Sequence, residues 1–107
     1  MKIEWSGVYP AVTTKFTHDD LLDLKMFGLN LDAQLAAGVQ GLILGGTLGE
    51  ASTLTESEKD RLLEYALEKS AGRVPVILNI AEGSTRNAVA AAQRAEALGA
   101  HGLMVLP

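Results

Sequence analysis

The chain has 107 residues, 48% of them hydrophobic and 21% charged, the ordinary balance of a single globular unit. Its net charge of −4, with no cluster of Lys or Arg, argues against nucleic acid or an anionic membrane as partner. No apolar run approaches the ~18–20 residues of a membrane span, and zero cysteines exclude disulfides and thiolate chemistry. Met1-Lys2-Ile3-Glu4-Trp5 has no long apolar core of a signal peptide, so a cytoplasmic setting is expected.

Gly7-Val8-Tyr9-Pro10-Ala11-Val12-Thr13 reads as a first strand, with Pro10 marking an edge or a bulge. A polar loop over 14–20 leads to a helix predicted from Asp23 to Ala37, where Leu24, Phe27, Leu31 and Leu35 recur at helical spacing. Gly28 weakens the middle of that helix, and Gly38 stops it. A second strand, Gly41 to Leu44 or Gly45, ends in Gly45-Gly46-Thr47-Leu48-Gly49-Glu50. Thr55, with Glu58 three residues on, is a capping box that opens a helix over Glu56–Ser70. Leu62, Leu63, Ala66 and Leu67 form its apolar stripe, acids lie in its first turn, and Gly72 ends it.

Val74 to Ile80 is nearly continuous in apolar residues, as suits a strand covered on both faces. Ser84 caps a third helix that presents Ala88, Val89, Ala92, Ala95 and Leu98 for packing, and Gly99 stops it. Gly102 to Pro107 begins a fourth strand. Strand starts near 7, 41, 74 and 102 repeat at about thirty residues, the alternation of a parallel sheet. The expected fold is α/β: parallel (β/α) units forming the N-terminal half of a (β/α)8 TIM barrel, strands one to four with helices one to three, in one partial domain over 1–107.

In such folds ligands sit at the carboxyl ends of the strands, which directs attention to loop 45–50. Its glycines let backbone N–H groups approach an anion, and Thr47 adds a hydroxyl able to pass a proton. The competing explanation is that Gly45, Gly46 and Gly49 merely solve a tight turn. Glu50 either touches substrate or anchors the loop by accepting backbone N–H bonds. Asn79 and Glu82 face the same rim or are ordinary loop polarity, while Thr13 and Thr14 line the floor or simply pack. Glu50 with Glu82 is a weak divalent-metal signal for want of a third ligand, so no metal site is assigned. His101, in a helix-to-strand turn, and His18, in a loop, receive no chemistry; Asp60, Glu64 and Glu68 read as a solvated face.

Gly7-Val8-Tyr9-Pro10-Ala11-Val12-Thr13-Thr14, Ala37-Gly38-Val39-Gln40-Gly41, Gly46-Thr47-Leu48-Gly49-Glu50 and Leu98-Gly99-Ala100 together resemble the dihydrodipicolinate synthase and N-acetylneuraminate lyase family. The likeness covers essentially all of this chain but only the first half of a family member. It implies a barrel, often oligomeric, whose lysine forms a Schiff base with a 2-oxo acid such as pyruvate, with no cofactor. By the same resemblance Thr47 joins a proton relay and contacts the substrate carboxylate, which the backbone of Gly46, Thr47, Leu48 and Gly49 also holds. Leu48 stands where many members carry a second threonine, and with Glu82 it leans towards a sugar-acid or other 2-oxo-acid lyase. The family's lysine and principal tyrosine come from later strands. Of Lys2, Lys15, Lys25, Lys59 and Lys69, only Lys15 follows a strand's carboxyl end, so the chain alone is expected to be inactive. A non-catalytic half-barrel that pairs with another copy is the alternative; a stand-alone anion-binding module is disfavoured by the missing Walker lysine and dinucleotide glycine spacing.

Overall fold

In the computed structural model, which describes residues 1–107, three capped helices alternate with three short strands. In chain order these are α1 (Leu24–Ala36), β1 (Leu42–Leu44), α2 (Glu56–Ser70), β2 (Val76–Ile80), α3 (Thr85–Leu98) and β3 (Gly102–Val105), with a 3₁₀ turn at Ala51–Thr53. The strands run parallel in the order β1-β2-β3, with Leu44 beside Leu78 and Ile80 beside Val105. Each helix begins as its side chains dictate. Asp23 accepts from the Met26 N–H, Ser84 from the Asn87 N–H, and Thr55 and Glu58 complete the reciprocal capping box. Such caps contribute about 1 kcal/mol each.

The first predicted strand is cut down to a single parallel bridge, Ala11 beside Ile43. Ile43 donates to the Pro10 carbonyl and accepts from the Val12 N–H. On one side the ladder stops because Pro10 has no N–H to give to Gly41. On the other it stops because Gly45, at φ +64, turns the chain away. The end of α2 also differs from expectation: Ala71 itself takes the left-handed conformation at φ 49, one residue before Gly72. Just ahead of it, fully buried Ser70 donates to the Val74 carbonyl and accepts from the Val74 N–H, closing the turn into β2.

The helices cover one face of the sheet. Leu42, Leu44, Val76, Leu78 and Ile80 pack there against Phe27, Leu31, Leu62, Leu63, Ala66, Ala91 and Ala95. Gly28 permits the close approach of α1 to α2: a Cβ there would stand 2.6 Å from the Tyr65 hydroxyl oxygen. On α3 the buried side is Ala91 and Ala95, whereas Val89, predicted to pack, is 50% exposed. Strand alternation puts Ile43, Ile77 and Asn79 on the opposite face. At the amino-terminal end of that face, Trp5 stacks on Tyr9 and reaches Gly102, closing over Ile77.

Polar ties join the helices to one another. Lys69 on α2 donates to Asp32 on α1 at 3.0 Å, and Arg94 on α3 donates to Asp60 at 2.9 Å and also to Glu56. Asp60 is therefore engaged between helices rather than part of a purely solvated face. The hydrogen bond that Lys69 donates to Asp32 raises its pKa against some desolvation, and that from Arg94 to Asp60 does the same for Arg94, so both stay cationic. His101 has a structural post: its Nδ1 accepts the Val76 N–H at 2.9 Å while its backbone N–H donates to the Val76 carbonyl. No helix is long and apolar enough to cross a membrane.

Candidate functional site

Parallel strands bring their carboxyl ends to one rim, so β1, β2 and β3 deliver loop 45–50, residues 81–84 and residues 106–107 to neighbouring positions. Thr13 and Thr14 arrive beside them from the bridged first segment. Loop 45–50 is compact. Glu50 sits in the left-handed region at φ 59, its N–H bonded to the Thr47 carbonyl, and the Ala51 N–H bonds to Gly46. Gly45, Gly46 and Gly49 are buried, while Thr47 and Leu48 face outwards.

Two features of this turn bear on anion binding. The N–H groups of Gly45, Gly46, Thr47, Leu48 and Gly49 donate to no acceptor within the chain. Successive free amides in a turn form a concavity suited to an anion. Gly49 keeps part of it open, because a Cβ there would lie 3.2 Å from the amide nitrogens of both Gly45 and Gly46 and 3.1 Å from the Val12 carbonyl. A side chain here would fit only if the neighbouring backbone shifted by a few tenths of an ångström.

The loop is tethered by Thr14. That residue is 5% exposed, and its hydroxyl donates to the Gly49 carbonyl at 2.5 Å. A buried bond of this kind is worth about 1 kcal/mol net, and leaving the carbonyl unpaired costs more. The anchoring role considered for Glu50 thus falls to Thr14: the Glu50 carboxylate accepts no backbone N–H and lines a separate cavity with Phe16, Asp20, Thr53 and Glu58.

Thr47 borders a recess of about 170 Å³ with Ala51, Ser52 and Ala81, between the segments that follow β1 and β2. Ser52 was not foreseeable; it reaches the recess only because the 3₁₀ turn folds it back beside Thr47. Asn79, on the helix-free face of β2, is 4% exposed. Thr13 is exposed and separated from the floor that Thr14 occupies. Glu82 lies 3.9 Å from the Lys59 ammonium and lines a groove of about 510 Å³ with the start of α3 and Val105 to Pro107. Glu50 and Glu82 therefore belong to different cavities and do not converge as a cation pair.

The structure brings together Gly46, Thr47, Leu48, Gly49 and Thr14, with Asn79 below them; it leaves Thr13, Glu50 and Glu82 outside that group. Among the lysines, Lys69 is committed to Asp32 and Lys59 to Glu82, and neither is presented to the Thr47 recess.

Known proteins bear directly on this arrangement. Residues 4–107 match the model of the dihydrodipicolinate synthetase family. The 4-hydroxy-tetrahydrodipicolinate synthase of Salinibacter ruber is 43% identical over 94% of this chain, which covers 33% of that protein. In the solved structures, dihydrodipicolinate synthase from Thermotoga maritima superposes with a TM-score of 0.90 at 37% identity, covering 92% of this chain and 33% of its own. A prophage protein of the same family from E. coli K12, solved in complex with pyruvate, gives 0.88 at 33% identity, covering 94% and 34%. The chain thus spans about a third of the length of these relatives, less than the half expected from counting strands. Its parallel strands and outer helices are the partial barrel that the βα period predicted. With the family model matched along nearly the whole sequence and the fold superposing on solved members, this chain belongs to the dihydrodipicolinate synthetase family.

Proposed function

We propose that these residues form the carboxylate-binding part of a Schiff-base lyase acting on 2-oxo acids, a homo-oligomer working in the cytoplasm. The observation that carries this reading is the run of five unpaired N–H groups beside the Thr47 hydroxyl at the carboxyl end of β1. A 2-oxo acid presents a carboxylate next to its reacting carbonyl. With the carboxylate held by the amides of Gly46 to Gly49, that carbonyl lies close to Thr47. The hydroxyl, being both donor and acceptor, then passes a proton to or from the reacting centre. Glycine-rich backbone supplies the donors without side-chain rearrangement, the form in which electrostatic stabilisation is most effective.

The nucleophilic lysine comes from chain outside residues 1–107. A Schiff-base lysine must lose its proton, which requires an environment that favours the neutral amine. Lys69 has the opposite, a carboxylate that holds it protonated. Borohydride reduction in the presence of pyruvate is therefore expected to leave this chain without an adduct by mass spectrometry, while a complete barrel carrying residues 1–107 gains one pyruvate-derived adduct. An adduct on Lys15 of the isolated chain would defeat this assignment.

A second reading, a non-catalytic module that assembles with another copy, is favoured by the apolar edge of β3, where Leu103, Met104, Val105 and Leu106 are 38–58% exposed. Unpaired strand edges of this kind invite pairing. Sedimentation velocity decides it: a concentration-dependent dimer supports assembly, and a folded monomer at all concentrations excludes it.

A further inference from the structure

On the first segment, alternation puts Val12 and Thr14 on one side, and both are buried, at 3% and 5% exposure. Valine has the branched shape of threonine and would fill the second place as well, so the hydroxyl is the feature to explain. Its partner is the Gly49 carbonyl, 35 residues along the chain, to which it donates at 2.5 Å. The other hydrogen bonds of loop 45–50 stay within the loop or run to the 3₁₀ turn behind it. The Glu50 N–H donates to Thr47, the Ala51 N–H to Gly46, and the Thr53 N–H and hydroxyl to the Glu50 carbonyl. Thr14 is therefore the loop's single hydrogen-bonded tie to a distant part of this chain.

Thr14 is itself fixed on both sides. Before it, the Val12 N–H donates to the Ile43 carbonyl in the bridge to β1; after it, the Lys15 carbonyl accepts from the Asp23 N–H and Phe16 bridges Leu22. The peptide unit it grips is a strained one. The Gly49 carbonyl and the Glu50 N–H share one plane, and Glu50 sits at φ 59, a costly region for a residue with a side chain. A half-turn of that unit would return Glu50 to an ordinary φ. It would also pull the Gly49 carbonyl off Thr14 and the Glu50 N–H off Thr47. The Thr14 hydroxyl thus opposes the relaxation that the strained backbone favours.

We infer that Thr14 is a positioning residue of the carboxylate site: through the Gly49 carbonyl it holds the amides of residues 46–49 in the arrangement that receives the substrate. This inference rests on the carboxylate-binding reading of that loop. Thr14 acts through Gly49 and not on the substrate itself. Donors already arranged bind an anion without the cost of being ordered first. Without the hydroxyl the loop also samples rotated peptides, in which the amides do not converge, and affinity falls with the fraction of time spent there.

The test uses a complete barrel: any longer polypeptide containing residues 1–107, or these residues joined to the remaining two-thirds of the Salinibacter ruber relative. Borohydride-trapped adduct is followed against pyruvate concentration in the unmodified protein, Thr14→Val, Thr14→Ala and Thr14→Ser, with thermal unfolding of each alongside. Expected is a half-saturating pyruvate concentration about tenfold higher in Thr14→Val and Thr14→Ala, with the limiting rate within about threefold. Thr14→Ser keeps the hydroxyl and is expected within about twofold of the unmodified protein. A hydroxyl that served only the stability of the fold would lower the unfolding midpoint and leave half-saturation where it was. That outcome, or loss of folding in both Thr14→Val and Thr14→Ala, would overturn the assignment. So would a serine variant as weak as the valine one, since packing of the methyl group would then be the cause. No adduct in the unmodified barrel at any pyruvate concentration would instead sink the lyase reading itself.

Discussion

Thr47→Val in a complete, lysine-bearing barrel is expected to lower kcat for the 2-oxo-acid reaction by about 10²-fold while leaving KM within a few-fold. The split follows from where the two jobs lie. In the proposed site binding belongs to the backbone amides of residues 46–49, which valine does not remove, and the Thr47 side chain is exposed rather than in the core. Valine keeps the branched shape of threonine and deletes only the hydroxyl, so the loop's bonds from Glu50 to Thr47 and from Thr14 to Gly49 survive. Thr47→Ser, which retains the oxygen, should restore most of the rate. Steady-state kinetics on the three proteins would settle the matter. A rise in KM with kcat unchanged would mean that Thr47 only binds, and the proton-transfer role would have to be abandoned.

Leu63→Ala is expected to cost about 2–5 kcal/mol, enough to remove much of the stability of a domain this small. Leu63 is fully buried on the stripe of α2 that faces the sheet, among Leu42, Leu44, Val76 and Leu78. Only 24 of 107 residues are buried, so few other contacts share the load and the cavity has little chance to collapse. Urea unfolding followed by circular dichroism measures the loss. Glu64→Ala, one residue along on the exposed face, serves as the control and should move the midpoint hardly at all. A midpoint for Leu63→Ala close to that control would show that the α2 stripe is not the centre of the core.

Local rules carried much of the fold. The capping box at Thr55 and Glu58, the cap at Ser84 and the stop at Gly99 each act within a few residues, and α2 and α3 begin where those residues place them. Two short-range expectations failed because a partner distant in sequence decided the outcome. Val89 lies on the predicted stripe of α3, yet the sheet meets that helix along Ala91 and Ala95. The first strand has strand-like residues, yet its ladder with β1 is limited by Pro10 on one side and by the turn at Gly45 on the other.

Residues 45–50 show the same division. From sequence by itself came the alternation of strand and helix, the glycine-rich turn at the carboxyl end of β1, and Thr47 as the hydroxyl of interest, because turn chemistry and periodicity are written in neighbouring residues. Only the tertiary structure decided that Thr14 rather than Glu50 secures the loop, that Glu82 is paired with Lys59, and that Asn79 is sealed without a partner. Those outcomes depend on which strands lie side by side. Contacts across 20 to 35 residues of chain, such as Thr14 with Gly49, exist only after the sheet has formed.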